Sequence, residues 1–319
     1  MHGLSSLLVV LTARLSAPLL PPLAVPLSRL PLPAPSRAQG RSSSSSSQLP
    51  RHSGRARSRR VVSCAAVDAA ALETIRSLPA ASLPASLAVI MDGNARWARQ
   101  HGRPTAAGHA AGVDRLRTLV SNCIEIEAIR CLTVYAFSSE NWGRPPAEVA
   151  ALLRLIESTL EHEADELHSR GVQLRFIGDL ESLPPSLRAL IARLSARELP
   201  PAEQQLVFVL ALAYGGRQEL AAAAASLAAQ VAAGELEAHD IDERRLGEAL
   251  QAGGAGQPTA DPDLLLRTGG QRRLSNFLLW QGAYAEWIVS DQLWPAFGTS
   301  DLADALQEFA RRTRTFGVR

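Results

Sequence analysis

The chain has 319 residues, 46% of them apolar, enough for one large buried core or two small ones. Its formal charge of +2 is uneven: residues 1–67 hold nine Arg and no acid, which leaves −7 for residues 68–319, an acidic body that argues against nucleic acid as a partner. Cys64, Cys123 and Cys131 show no CxxC or metal-ligand spacing, which excludes a zinc or disulfide framework and predicts reduced, structural thiols.

In chain order, residues 1–67 combine the Arg excess with Pro and a run of Ser from Ser42 to Ser47. Such a segment cannot bury enough apolar surface to fold. An Arg-rich, Ser-rich, acid-free leader ending in small residues reads as a plastid transit peptide that delivers the body to the chloroplast stroma; the plainer reading is a disordered tail that stays attached. Its apolar run from Leu7 to Leu11 is far shorter than the ~18 residues of a membrane span. Residues 68–82 form a short lead-in, and the folded domain is expected over 83–319.

Within that domain, short runs rich in Val, Ile, Leu and Phe predict strands at 87–91, 131–137, 172–177, 206–212, 264–267 and 287–290. Helical period marks the segments between them. In 148–167, Val149, Leu152, Leu153, Ile156 and Leu160 share one face; the Ala-rich segment 218–233 reads as a plain packing helix. Continuous apolar strands separated by helices predict an α/β fold: a single domain with a mostly parallel six-stranded sheet covered on both faces. Ligands of such sheets bind beyond the carboxyl ends of the strands.

Polar residues indeed follow the strands. The first runs into Met91-Asp92-Gly93-Asn94-Ala95-Arg96-Trp97, a Gly turn opening a helix, which offers backbone amides to an anion. Asp92 then either bridges to that anion through Mg2+ or caps the helix. The second strand ends in Tyr135-Ala136-Phe137-Ser138-Ser139-Glu140-Asn141-Trp142-Gly143-Arg144 before Pro145 and Pro146, a site loop or an ordinary turn with caps. Gly108-His109 with Gly112 sits at a helix start, where a lone His is more often structural than functional. After the fifth strand, Arg267-Thr268-Gly269-Gly270-Gln271-Arg272-Arg273-Leu274-Ser275-Asn276-Phe277 reads as a second diphosphate clamp or a solvated basic turn. No P-loop, GxSxG elbow or HExxH occurs.

The strings MDGNARWA, GHAAG, YAFSSENWGRP, YGGR and RTGGQRRLSNFLLWQGAYAEW, in this order from about residue 83 onward, closely resemble the cis-prenyltransferase (undecaprenyl diphosphate synthase) family. The resemblance implies an Mg2+-dependent transferase that condenses isopentenyl diphosphate with an allylic diphosphate (dimethylallyl, geranyl, farnesyl or geranylgeranyl). By resemblance, Asp92 is the catalytic magnesium ligand and Glu286 the second, and Asn141 accepts the proton. Gly93, Asn94, Ala95, Arg96, Trp97 and His109 surround the allylic diphosphate; Ser138, Ser139, Glu140, Trp142 and Arg144 line the same loop. Arg267, Arg273, Leu274 and Ser275 match the isopentenyl diphosphate clamp. The family also implies a homodimer, a peripheral membrane contact for product release, and an apolar tunnel between the sheet and the helices at 112–126 and 148–167. Departures from the family pattern fall at Ser86, Thr105, Ala213 and Gln271. The alternative, a non-catalytic partner subunit of a heteromeric prenyltransferase, typically lacks the Asp-Gly-Asn loop or the clamp arginines, and both are present.

Overall fold

The computed structural model describes residues 64–250 and 261–315, with side chains from Ala69 onward. The expected leader lies outside the described residues, except that a helix, α1 (Cys64–Arg76), begins inside its last four residues. The cleavage site read near Val61 to Ala66 is also largely outside them.

Six strands form one all-parallel sheet in the order β3-β4-β2-β1-β5-β6. They are β1 (Ser86–Ile90), β2 (Cys131–Ser138), β3 (Val172–Ile177), β4 (Leu206–Tyr214), β5 (Leu264–Arg267) and β6 (Glu286–Val289). Each falls where the apolar runs place it. The continuity of those runs has a direct cause: both faces are covered. Along β4, Leu206, Phe208, Leu210 and Leu212 enter one core while Val207, Val209 and Ala211 enter the other, the two-residue alternation of a pleated strand. All nine β4 residues are buried, and each fully buried Leu or Val contributes roughly 1.5–3 kcal/mol. A charge in place of Val209 would forfeit that and strand itself without a partner.

The helices are α2 (Asn94–Gln100), α3 (Thr105–Ile126), α4 (Pro146–Ser169), α5 (Pro185–Ser195), α6 (Gly216–Ala232), α7 (Glu243–Ala249) and α8 (Thr299–Ala310). Pro146 starts α4 at a position where its missing N–H costs nothing. The larger core joins one sheet face to α1, α3, α4, α5 and α8, with Ile75, Val120, Leu153, Leu187 and Leu306 among its members. No described helix is long and apolar enough to cross a membrane. Cys123 and Cys131 are both buried, and burial pushes the Cys123 thiol up, first through desolvation.

Gly108 and Gly112 lie near the start of α3, as their motif places them, about one turn apart and buried. A Cβ on Gly108 would lie 2.2 Å from the Asn94 carbonyl oxygen, and one on Gly112 2.4 Å from Asn94 Oδ1. The pair exists so that α3 can press against the start of α2. Trp294, 1% exposed, completes this junction by donating Nε1–H to the Gly112 carbonyl at 2.9 Å.

The strand order places β1 between β2 and β5. The chain builds outward on the β2 side first and crosses to β5 later, so the β1/β5 carboxyl ends form the switch point at which open α/β sheets bind ligands. Asp92 follows β1, and Arg267 ends β5 opposite Ile90.

Candidate active site

A cavity of about 710 Å³ opens at that rim, lined from β1 by Asp92, from α2 by Asn94, from α3 by His109, from the β2 loop by Ser138, Glu140, Asn141 and Arg144, and from the β5 loop by Arg267, Arg273 and Ser275. Tyr135, Arg217 and Asn276 complete the polar wall. Four Arg against two acids make the cavity attractive to anions.

Asp92 does not cap α2. Gly93 occupies the cap, at φ 122°, with no side-chain cap bond. The Asp92 carboxylate is instead divided between two guanidinium groups: Oδ1 lies 3.0 Å from Arg96 Nη2, and Oδ2 accepts from Arg267 Nη2 at 2.9 Å. Its main-chain oxygen accepts from Thr268 Oγ1 at 2.8 Å. Arg267 is 4% exposed; its Nη1 donates to Ser275 Oγ at 2.8 Å and to the Arg273 carbonyl. Arg96 also donates Nη1–H to the Gly269 carbonyl at 2.7 Å. These bonds tie the β1 turn to the β5 loop and fix two cations about one carboxylate.

The β2 loop is a one-turn helix, and a reciprocal cap joins Ser138 and Asn141, whose Oδ1 accepts from the Ser138 N–H at 3.2 Å. Glu140 accepts from Asn276 Nδ2 at 2.9 Å. Partial burial alone would raise its pKa, but hydrogen bonds from Asn276, its own N–H and the adjacent serines together hold the carboxyl below the usual range. The His109 imidazole is also held below its ordinary value, by desolvation first and then by the Arg144 charge, against a smaller upward pull from Glu148. Arg144 itself pairs with Glu148 at 3.0 Å, and Arg273 donates to Gln271 at 2.7 Å.

Several expected residues lie elsewhere. Ala95 is exposed on α2, and Trp97 stacks on His101 with centroids 4.2 Å apart and carries Arg103 over its ring; neither lines the cavity. Trp142, 40% exposed, meets Phe137 edge-on beside the cavity. Leu274 packs into the smaller core, and Ser139 touches the close turn at Gly215. Glu286 is not brought to Asp92. It opens β6 opposite Leu264, at the amino edge of the sheet, and pairs with Arg312 at 2.7 Å. Three residues at about 3.3 Å each separate it from the level of Arg267.

Among the described residues no group of three or more His, Cys, Asp or Glu could hold a metal. The carboxylates in the cavity wall are Asp92 and Glu140. That donor set does not make an all-protein cage, but it fits a Mg2+ ion held by one carboxylate, water and the phosphate oxygens of a ligand.

A second cavity of about 260 Å³ lies between α3, α4 and the sheet, walled by Val113, Leu116, Ile156, Leu160, Phe208 and Leu210 among others. It shares Met91, Asn94, His109, Ala136 and Leu152 with the first. Along α4 its wall runs from Leu152 to Leu167, about 22 Å at the α-helical rise. A charged mouth therefore adjoins an elongated apolar recess.

Tyr135, Arg217 and Asn276 fall inside the motif strings, but the sequence alone does not single them out as members of the wall. Arg217 was within reach of the strand-end rule, since it follows β4 as Asp92 follows β1. Asn276 lies in the motif after β5, but its partners Glu140, Arg217 and Gln218 come from distant segments.

A parallel α/β sheet with an Arg-rich, carboxylate-bearing mouth at its switch point and an apolar recess behind it defines a protein that handles anionic, amphipathic ligands. A sequence model of the family described as "Putative undecaprenyl diphosphate synthase" matches residues 90–317. The chain is 45% identical over 238 residues to a ditrans,polycis-undecaprenyl-diphosphate synthase of Xanthomonas axonopodis pv. citri, covering 75% of this chain and 90% of that protein. It is 45% identical over 257 residues to an isoprenyl transferase of Prochlorococcus marinus, covering 79% and 94%. Among solved structures, lavandulyl diphosphate synthase from Lavandula x intermedia, in complex with dimethylallyl diphosphate, superposes with a TM-score of 0.68 at 35% identity, covering 74% of this chain and 99% of that one. A probable undecaprenyl diphosphate synthase from Campylobacter jejuni gives 0.59 at 34%, covering 73% and 98%. The chain belongs to the cis-prenyltransferase (undecaprenyl diphosphate synthase) family.

Proposed function

We infer that the protein condenses isopentenyl diphosphate with an allylic diphosphate to give a Z-prenyl diphosphate. The observation that carries this reading is the division of the Asp92 carboxylate between Arg96 and Arg267 at a mouth that adjoins an apolar recess. Two guanidinium groups converging on one point can hold two diphosphates side by side, and the recess accepts an apolar tail.

In this reading the allylic C–O bond breaks with its electron pair passing to the diphosphate, whose charge is taken up by Arg96 and the amides at the start of α2. The alkene of isopentenyl diphosphate, held by Arg267, Arg273 and Ser275, supplies the pair for the new C–C bond. A proton then leaves C2, its bonding electrons form the new double bond, and inorganic pyrophosphate departs. Asn141, in the cavity wall, is assigned the orientation of this proton. A neutral amide is not a titrating base near pH 7, so a diphosphate oxygen takes the proton with it. Mg2+ held by Asp92, when bound, supplies electrostatic stabilisation of the leaving group. Glu286, at the far edge, has no part in that site within one chain. His109, whose pKa is lowered by burial, lines both the mouth and the recess. The apolar walls exclude water from the developing allylic cation.

The tail is assigned to the recess between α3 and α4, and product release to a peripheral membrane contact. A homodimer follows from family resemblance, and plastid import from the leader's composition; import of a fluorescent fusion of residues 1–67 tests the latter. For the activity, the full chain is incubated with labelled isopentenyl diphosphate, an allylic primer and Mg2+. Label in the prenyl fraction is expected. Its absence removes the catalytic reading and favours the non-catalytic partner subunit.

A further inference from the structure

The arginines of the mouth are not equivalent. Arg144 pairs with Glu148, Arg267 with Asp92 and Ser275, and Arg273 with Gln271. Arg217 lines the same cavity, and among the described residues its guanidinium meets no hydrogen-bond or ion-pair partner. Its backbone, by contrast, is fixed. Gly215 caps α6 but has no side chain to satisfy the first amides, and these are met by a residue far away in sequence: the Asn276 carbonyl accepts from Gly216 N–H at 2.7 Å and Asn276 Oδ1 from Arg217 N–H at 2.9 Å. The same Asn276 side chain donates to Glu140 at 2.9 Å and to Gln218 at 3.1 Å.

This cap requires close approach. A Cβ on Gly215 would lie 2.6 Å from both Asn276 Nδ2 and Ser139 Oγ. It also requires a left-handed residue, and Asn276 adopts φ 64° beside Ser275 at 51°, a region Asn tolerates better than most residues. Ser275 of the clamp and Arg217 of α6 are therefore joined through one residue and keep a constant relative position. An unpaired guanidinium held in a wall with three others is repelled by them until an anion enters.

We propose that Arg217 is a further ligand of the diphosphate held by Arg267, Arg273 and Ser275, with Asn276 as the positioning residue. This rests on the catalytic reading above, and it names the substrate served: isopentenyl diphosphate, whose clamp Asn276 adjoins. The allylic diphosphate, beside Arg96, gains nothing from Arg217.

The test uses the full chain with Arg217→Gln and Arg217→Lys. Arg217 is exposed, so both variants are expected to fold with unchanged Tm. Calorimetric titration with isopentenyl diphosphate alone, where no turnover occurs, should show Kd raised roughly 10- to 100-fold in Arg217→Gln, the loss of one charge-assisted contact, and an intermediate value in Arg217→Lys. Titration with dimethylallyl diphosphate should give the wild-type Kd. An unchanged Kd for isopentenyl diphosphate, or equal weakening for both ligands, overturns the assignment. Wild-type protein that binds isopentenyl diphosphate through Arg217 yet makes no prenyl product would uphold this inference and remove the catalytic reading; wild-type protein that binds none would remove both.

Discussion

The Asp92 carboxylate and the Arg267 guanidinium meet 2.9 Å apart across the β1/β5 rim, the acid 27% and the base 5% exposed at the side chain. The guanidinium is thus the more deeply buried partner, and it depends on the acid for neutralisation. Asp92 serves twice: it anchors Arg267, and it is the carboxylate best placed for a metal.

These two duties separate by substitution. Asp92→Asn keeps an oxygen acceptor for Arg267 and should fold normally, while turnover falls by about 10²–10³, the scale of a lost transition-state electrostatic contact. Asp92→Ala leaves a buried guanidinium without its counter-ion, at a cost of about 3 kcal/mol or more, so Tm should drop by several degrees. Calorimetry and steady-state assay of both variants check this. Equal Tm for the two would mean that Asp92 does not anchor Arg267.

The Arg273 side chain is exposed and donates to Gln271, while its carbonyl accepts from Arg267. Arg273→Ala should therefore leave Tm unchanged while KM for isopentenyl diphosphate rises about tenfold or more and kcat changes less. A kcat loss equal to the loss in kcat/KM would place its contact in the transition state instead.

The depressed pKa of His109 makes stability depend on pH. Because the neutral imidazole is favoured in the fold, its contribution is complete above about pH 6.5, the unfolded value, and is lost as pH falls through the lower folded value. His109→Gln should flatten denaturant-derived stability between pH 7 and 5 relative to wild type. Parallel curves would show that the imidazole is not desolvated.

Glu140 titrates low partly because Asn276 donates to it. Asn276→Leu removes that donor, and carboxyl NMR should find the Glu140 titration moved upward. Its stabilising effect is present above the unfolded pKa and fades as pH drops through the folded one, so the variant should lose that stabilisation at a higher pH than wild type. An unmoved resonance would mean that the serines alone hold the charge.

Leu152 lines both cavities at their junction. Leu152→Trp should shorten the product, with the first condensation retained and later ones lost, as read by mass analysis of the dephosphorylated prenols. An unchanged length distribution would put the tail elsewhere.

The sheet was legible because continuous apolar runs have one economical use, a strand covered on both faces; the predicted strand ends lie within two residues of those found. The helix expected over 148–167 extends to Pro146–Ser169 because Pro tolerates the first turn. The catalytic loops were found by the strand-end rule, which depends only on parallel topology. What escaped reading depends on pairs distant in sequence. The Gly108/Gly112 spacing places the pair at a helix start but does not say what it packs on, and only Asn94 and Trp294 supply that. Glu286 shares a motif with the clamp, yet the 281–285 connection carries it to the other edge of the sheet. Ala213 sits at φ 47° where the family pattern has Asn, a residue more at ease there; nothing local to the sequence announces that bend.

Ile75 is wholly enclosed and Ala71 nearly so, both on α1, which packs against α8 near the other end of the chain. Any peptidase that trims the front of this protein consequently has a limit: a cut after Val67 shortens the helix by one turn and spares both side chains, whereas a cut beyond residue 71 begins to unplug the core beneath α8. The front of the described chain is thus also the part that closes the hydrophobic interior.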